Sequence, residues 1–102
     1  MLTREERRAE NEAIFRAGNK AIVHNLGAPE GALPLICECG SAECFDRIPL
    51  TVAEYKAVRS HPAHFVLESG HEDMNERVVE AFDRYVVVEK TGVGRRVVEE
   101  AP

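Results

Sequence analysis

All three cysteines of the chain fall in one short stretch, Cys37-Glu38-Cys39-Gly40-Ser41-Ala42-Glu43-Cys44, and a histidine, His71, follows further on in Gly70-His71-Glu72. Thiolate and imidazole are donors that zinc accepts, and three of one with one of the other complete a tetrahedral shell with no position left open. Alternation along an extended backbone puts Cys37 and Cys39 on one face and Glu38 on the other. Gly40 permits a sharp turn that returns Cys44 to the same place, and Gly70 permits a bend that aims His71 toward it. The spacing therefore predicts one Zn2+ held by Cys37, Cys39, Cys44 and His71. Two other readings of the same thiols compete: unligated core cysteines and a redox-active cluster. His24, His61 and His64 compete with His71 for the fourth position. His24 and His61 lie near expected helix ends, where a positive charge complements the helix dipole without any metal.

Other residues carry a weaker signal. Glu72, beside His71, is placed as a general base next to a catalytic zinc would be. A solvated carboxylate is the more ordinary reading in so acidic a chain. Arg59, Arg84, Arg95 and Arg96 would form an anion site if the fold gathered them, but scattered arginines are ordinarily surface residues. No phosphate-binding glycine loop, Ser-His-Asp order or HExxH zinc motif occurs.

The elements that must position these groups are legible in part. Thr3-Arg4-Glu5-Glu6 is a capping box. Ile14, Ala17, Gly18, Ala21, Ile22 and Asn25 recur at steps of three and four, extended by Phe15 and Leu26. This predicts a long helix over 3–25 with an apolar stripe, its charged first two turns projecting into solvent. Gly18 either weakens that helix or marks a close contact. Gly27-Ala28-Pro29-Glu30-Gly31 reads as a loop. Leu33 to Cys39 and Phe45 to Leu50 read as strands around the cysteine turn. Thr51-Val52-Ala53-Glu54 is a second capping box, opening a short helix with Val52, Tyr55 and Val58 on one face and stopped by His61-Pro62. His64 to Glu68 reads as a strand, Ser69 to Asn75 as a polar loop, and Glu76 to Phe82 as strand or helix. Tyr85-Val86-Val87-Val88-Glu89-Lys90 is the clearest strand. After Thr91-Gly92-Val93-Gly94, Arg95 to Val98 would pair back as a hairpin, leaving 99–102 as a tail.

This order predicts an α+β fold: a small, mostly antiparallel sheet with a long N-terminal helix and a second short helix, stapled by zinc. The 102 residues suit one domain, with 3–25 as helix and 33–98 as the α+β core. Thirteen Lys and Arg against eighteen Asp and Glu give a net charge of −5, which argues against nucleic acid as a partner. No apolar run reaches the roughly 18 residues of a membrane span, so no membrane partner is expected. The charged Met1-Leu2-Thr3-Arg4-Glu5-Glu6 start has no signal-peptide core. With an odd number of thiols, it speaks for a reducing, cytoplasmic setting.

The chain resembles a family of small, uncharacterised bacterial proteins frequent in actinobacteria. The likeness rests on Glu10-Asn11-Glu12-Ala13-Ile14-Phe15-Arg16, Cys37-Glu38-Cys39 with Cys44, Leu50-Thr51 with Glu54-Tyr55 and Val58-Arg59, Gly70-His71-Glu72, and Arg84-Tyr85-Val86-Val87-Val88-Glu89-Lys90. It covers about Glu10 to Lys90, while Ala17-Gly18-Asn19-Lys20 departs from the pattern. The resemblance implies metal binding at Cys37, Cys39, Cys44 and His71 and carries no activity with it. The function expected is that of a small cytosolic protein with a structural Cys3His zinc site, acting as a binding or regulatory interaction module. It would bind a protein partner or form a homodimer through the N-terminal helix. The alternatives are a small zinc-dependent hydrolase with Glu72 as base, and a thiol redox sensor.

Overall fold

The computed structural model describes residues 2–26 and 30–101. Residues 27–29 of the expected loop, and residue 102 of the expected tail, lie outside the described residues. The chain is α+β. Its first element, α1 (Arg4–Asn25), starts at the capping box: Thr3 Oγ1 accepts from the Glu6 N–H and the Glu6 carboxylate accepts from the Thr3 N–H. Next come β1 (Leu33–Ile36) and β2 (Arg47–Leu50), an antiparallel pair in the register Leu33↔Leu50 and Leu35↔Ile48. Then α2 (Val52–Arg59) opens at the second capping box, with Thr51 and Glu54 in the same reciprocal bonds. β3 (His64–Glu68), β4 (Glu76–Ala81) and β5 (Tyr85–Lys90) form an antiparallel sheet ordered β3-β5-β4. The last element is α3 (Gly94–Glu100).

Alternation explains the small sheet: Leu33, Leu35, Ile48 and Leu50 face the core, while Pro34 and Pro49 face out. β5 is buried along nearly its whole length because β3 and β4 flank it on both edges. Its valines 86–88, with Phe65, Leu67, Tyr55, Val58 and Val98, make the core. Among the described residues no helix is long and apolar enough to cross a membrane.

Three expectations need correction. The strands form two sheets, not one, and β1 ends at Ile36 while β2 begins at Arg47. The segment after β5 is a helix, not a returning strand. Both edges of β5 are already taken, so a returning strand has no edge on it to pair with. Val98 instead turns into the core at 0% exposure, and Arg95 pairs with Glu99 one turn on, so the expected tail is helical through Glu100.

The third correction concerns α1. Its first two turns project into solvent only on one side: Arg4, Arg7 and Glu10 are exposed, but Ala9 and, one position into the next turn, Glu12 are fully buried. The apolar stripe is divided: Ile14 is 63% exposed and Leu26, just past the helix, 56%, while Ile22 packs against the core. The buried positions are Ala9, Glu12, Arg16 and Asn19, a mostly polar line at helical spacing. Gly18 does mark a close contact, for a Cβ there would lie 3.3 Å from Ile36 Cδ1.

Candidate metal centre

The link between β1 and β2 carries Cys37, Cys39 and Cys44. Cys37 still follows the strand, its N–H bonded to the Asp46 carbonyl at 3.1 Å. Gly40 then turns the chain at φ +78°, pressed so close to α1 that a Cβ would meet the Arg8 carbonyl at 2.7 Å. The Asn11 side chain donates to the Gly40 carbonyl at 3.1 Å, so α1 braces the turn from beneath. His71 arrives on the loop after β3, where Gly70 has φ +92°. Arg8 donates to the His71 carbonyl at 3.1 Å, so the same helix holds both ligand-bearing loops.

The four expected ligands meet. One donor atom from each of Cys37, Cys39, Cys44 and His71 lies within 4.8 Å of every other. His71 Nδ1 sits 3.6 Å from Cys37 Sγ and 3.6 Å from Cys44 Sγ. Zinc bonds of about 2.3 Å to sulfur and 2.0–2.1 Å to nitrogen, at tetrahedral angles, separate S and N by about 3.6 Å. Two edges of the cluster thus have the length that such a tetrahedron requires.

The surroundings favour charge on one sulfur and oppose it on the other two. Cys37 Sγ accepts the Glu68 N–H at 3.2 Å. A hydrogen bond from Cys37 holds Cys39 down to about 5, and the same contact, with burial, pushes Cys37 up. Burial also raises Cys44. Three sulfurs this close cannot all ionise by themselves, and a divalent cation removes the conflict. His71 Nε2 lies 3.5 Å from the Asp46 carboxylate, which leaves Nδ1 as the nitrogen turned to the sulfurs. A carboxylate on the far nitrogen is the usual support for a ligating imidazole.

Glu38 points away from the cysteines, as alternation requires, but it does not reach solvent. It is fully buried and holds the ligand strand in place. Its carboxylate accepts from Tyr55 Oη at 2.5 Å, Asn19 Nδ2 at 2.9 Å and the Val66 N–H at 3.0 Å. Its own N–H donates to the Val66 carbonyl at 2.9 Å. Asn19 also brackets the Ile36 backbone, accepting its N–H at 2.7 Å and donating to its carbonyl at 2.8 Å. Burial raises both the Glu38 carboxyl and the Tyr55 phenol. A second buried group ties α1 to the other sheet: Lys90 Nζ lies 2.9 Å from Glu12 and 3.4 Å from Glu76. Arg8 completes it, 3.6 Å from Glu76 and 3.7 Å from Asp73.

The competing histidines lie elsewhere. His61 and His64 stack on each other with centroids 3.9 Å apart, and His24 is exposed on α1. Glu72 is exposed and accepts the Gly70 N–H at 3.1 Å. The four arginines considered for an anion site are dispersed: Arg95 pairs with Glu89 and Glu99, and Arg84 and Arg96 are exposed.

Fold and site together define a small α+β domain with a Cys3His cluster able to bind a metal ion. No protein-family model, curated protein or solved structure matches the chain.

Proposed function

We propose that Cys37, Cys39, Cys44 and His71 hold one Zn2+ as a structural, four-coordinate centre in a protein that acts as a binding or regulatory interaction module. The observation that carries the reading is the mutual approach of the four donor atoms within 4.8 Å. A shell of four protein ligands keeps no exchangeable water, so the ion has no place for substrate. The position of Glu72, folded back on the Gly70 amide, also counts against a hydrolase in which it is the base. The interaction role draws support from Ile14 on α1 and Leu26 just past its end, both exposed to solvent. A second copy of the chain is the occupant tested first, by sedimentation of wild type against Ile14→Glu.

Metal analysis of the purified protein tests the centre, with about one zinc per chain expected. Cobalt-substituted protein should show tetrahedral, thiolate-rich absorption that azide and cyanide leave unchanged. A spectral response to those anions would replace the structural reading with the catalytic one.

A further inference from the structure

Away from the cysteine corner, two guanidinium groups crowd one aromatic ring. The Arg16 and Arg59 Cζ atoms lie 5.2 Å and 5.4 Å from the Phe65 centroid. Arg16 is only 4% exposed. Its Nη1 and Nη2 donate to the Pro62 and Val98 carbonyls, each at 2.7 Å, and Arg59 donates to the His64 carbonyl. The Nε of each arginine is buried and has no hydrogen-bond partner. Among the described residues, Arg16, Lys20, Lys56 and Arg59 make no ion pair.

Two carboxylates lie near. Glu38 is on the inner side, with its oxygens engaged by Tyr55, Asn19 and Val66. Glu99 lines the pocket along with the arginines, its Oε2 accepting from Arg95 Nε at 3.1 Å. Arg16 is the buried cation of the group, while Arg59 is half-buried and Lys20 and Lys56 are exposed; a buried cation whose nearest carboxylate is already engaged is costly. Arg16, Lys20 and Arg59 wall a pocket of about 210 Å³ between α1, the end of α2 and α3. A neighbouring groove shares Lys20 and Arg59, adds Lys56, and has Val23 and Val52 as apolar walls. Unused guanidinium donors, excess positive charge and an opening of small-molecule size are what an oxyanion completes.

We propose that the pocket walled by Arg16, Lys20 and Arg59 binds a phosphate group, either inorganic phosphate or the head of a small organic phosphate whose body lies on Val23 and Val52. The site is separate from the metal centre and does not depend on it.

The full chain, labelled with 15N, is titrated with inorganic phosphate and separately with glycerol phosphate, against chloride at matched ionic strength. Saturable shifts are expected at the Arg16 and Arg59 Nε–H signals. Lys20 is exposed, so Lys20→Ala should fold normally and bind about tenfold more weakly, the loss of one charge-assisted hydrogen bond. Arg84→Ala removes an equally exposed charge elsewhere and should leave affinity unchanged. Tighter binding of glycerol phosphate places its body in the groove, and equal binding assigns the site to the phosphate alone; both support it. Shifts no different from those in chloride, or equal weakening by Lys20→Ala and Arg84→Ala, overturn it.

Discussion

The cysteine corner and the inner face of α1 both bury groups that water would otherwise solvate, and they solve the problem in opposite ways. At the corner, three sulfurs and an imidazole converge, and the sulfurs can all be ionised together only with a cation among them. Along α1, Glu12, Arg16 and Asn19 are matched largely from within, by Lys90, by backbone carbonyls, and by Ile36 and Glu38. One region depends on solution composition, and the other depends on the chain being complete. The two meet at residues 37–39, where ligand and clamp alternate along one stretch of backbone.

The largest expected effect breaks the corner. Serine at Cys37, Cys39 or Cys44 should release the metal and lower stability by several kcal/mol, because binding free energy at such a site is folding free energy. Zinc content and urea unfolding measure the two losses together. A metal-free triple serine variant with undiminished stability would remove the corner's structural role.

The clamp comes next. Glu38→Ala strips the acceptor from Tyr55, Asn19 and the Val66 amide, and each buried donor left unpaired costs about 1–3 kcal/mol. Roughly 3 kcal/mol or more should be lost, with weaker zinc binding as the strand loosens. Unchanged zinc affinity in a destabilised Glu38→Ala protein would show the two regions to be energetically separate.

The inner face of α1 should also have its own pH signature. Burial, reinforced by Glu76, pushes Glu12 up to about 9 from 4.5. The folded state therefore keeps a proton that the unfolded chain releases. Stability from this group is full below about 4.5 and is lost as the pH climbs toward about 9, at up to about 1.4 kcal/mol per unit. Glu12→Gln stays neutral throughout and should gain on wild type across that window in urea titrations. A constant gap between the two proteins from pH 5 to pH 9 would show that Glu12 is ionised in the fold. The smallest effect is at Asp46: its removal should weaken zinc about tenfold through loss of support to His71, read by competition with a chromophoric chelator.

The corner was legible in the sequence because metal ligands are few in kind and their spacing is constrained. Cys37, Cys39 and Cys44 announced themselves, and Gly70 before His71 marked the bend. The capping boxes at Thr3 and Thr51 and the strands at His64 and Tyr85 were equally plain, since each is decided by neighbours in the chain. The inner face of α1 was not legible. Ile14 and Leu26 drew the eye as an apolar stripe because hydrophobicity ranks side chains one at a time, whereas Glu12, Arg16 and Asn19 are buried by virtue of distant partners. Glu38 was assigned the correct direction but no destination. A useful signal was present in the line Ala9, Glu12, Arg16, Asn19, whose helical spacing is regular even though its chemistry is polar. The hairpin expected at Arg95 failed for a similar reason, since the occupancy of both edges of β5 is a property of the sheet and not of the segment.

The bond from Arg16 to Val98 spans 82 residues. During synthesis at roughly 5–20 residues per second, α1 leaves the ribosome several seconds before its partners near the C-terminus exist. An apolar inner face would spend that interval seeking any greasy surface available. A face of Glu12, Arg16 and Asn19 is content in water until Lys90 and Val98 emerge, so the helix waits without adhering to the wrong neighbour, and the finished chain is the first object it fits.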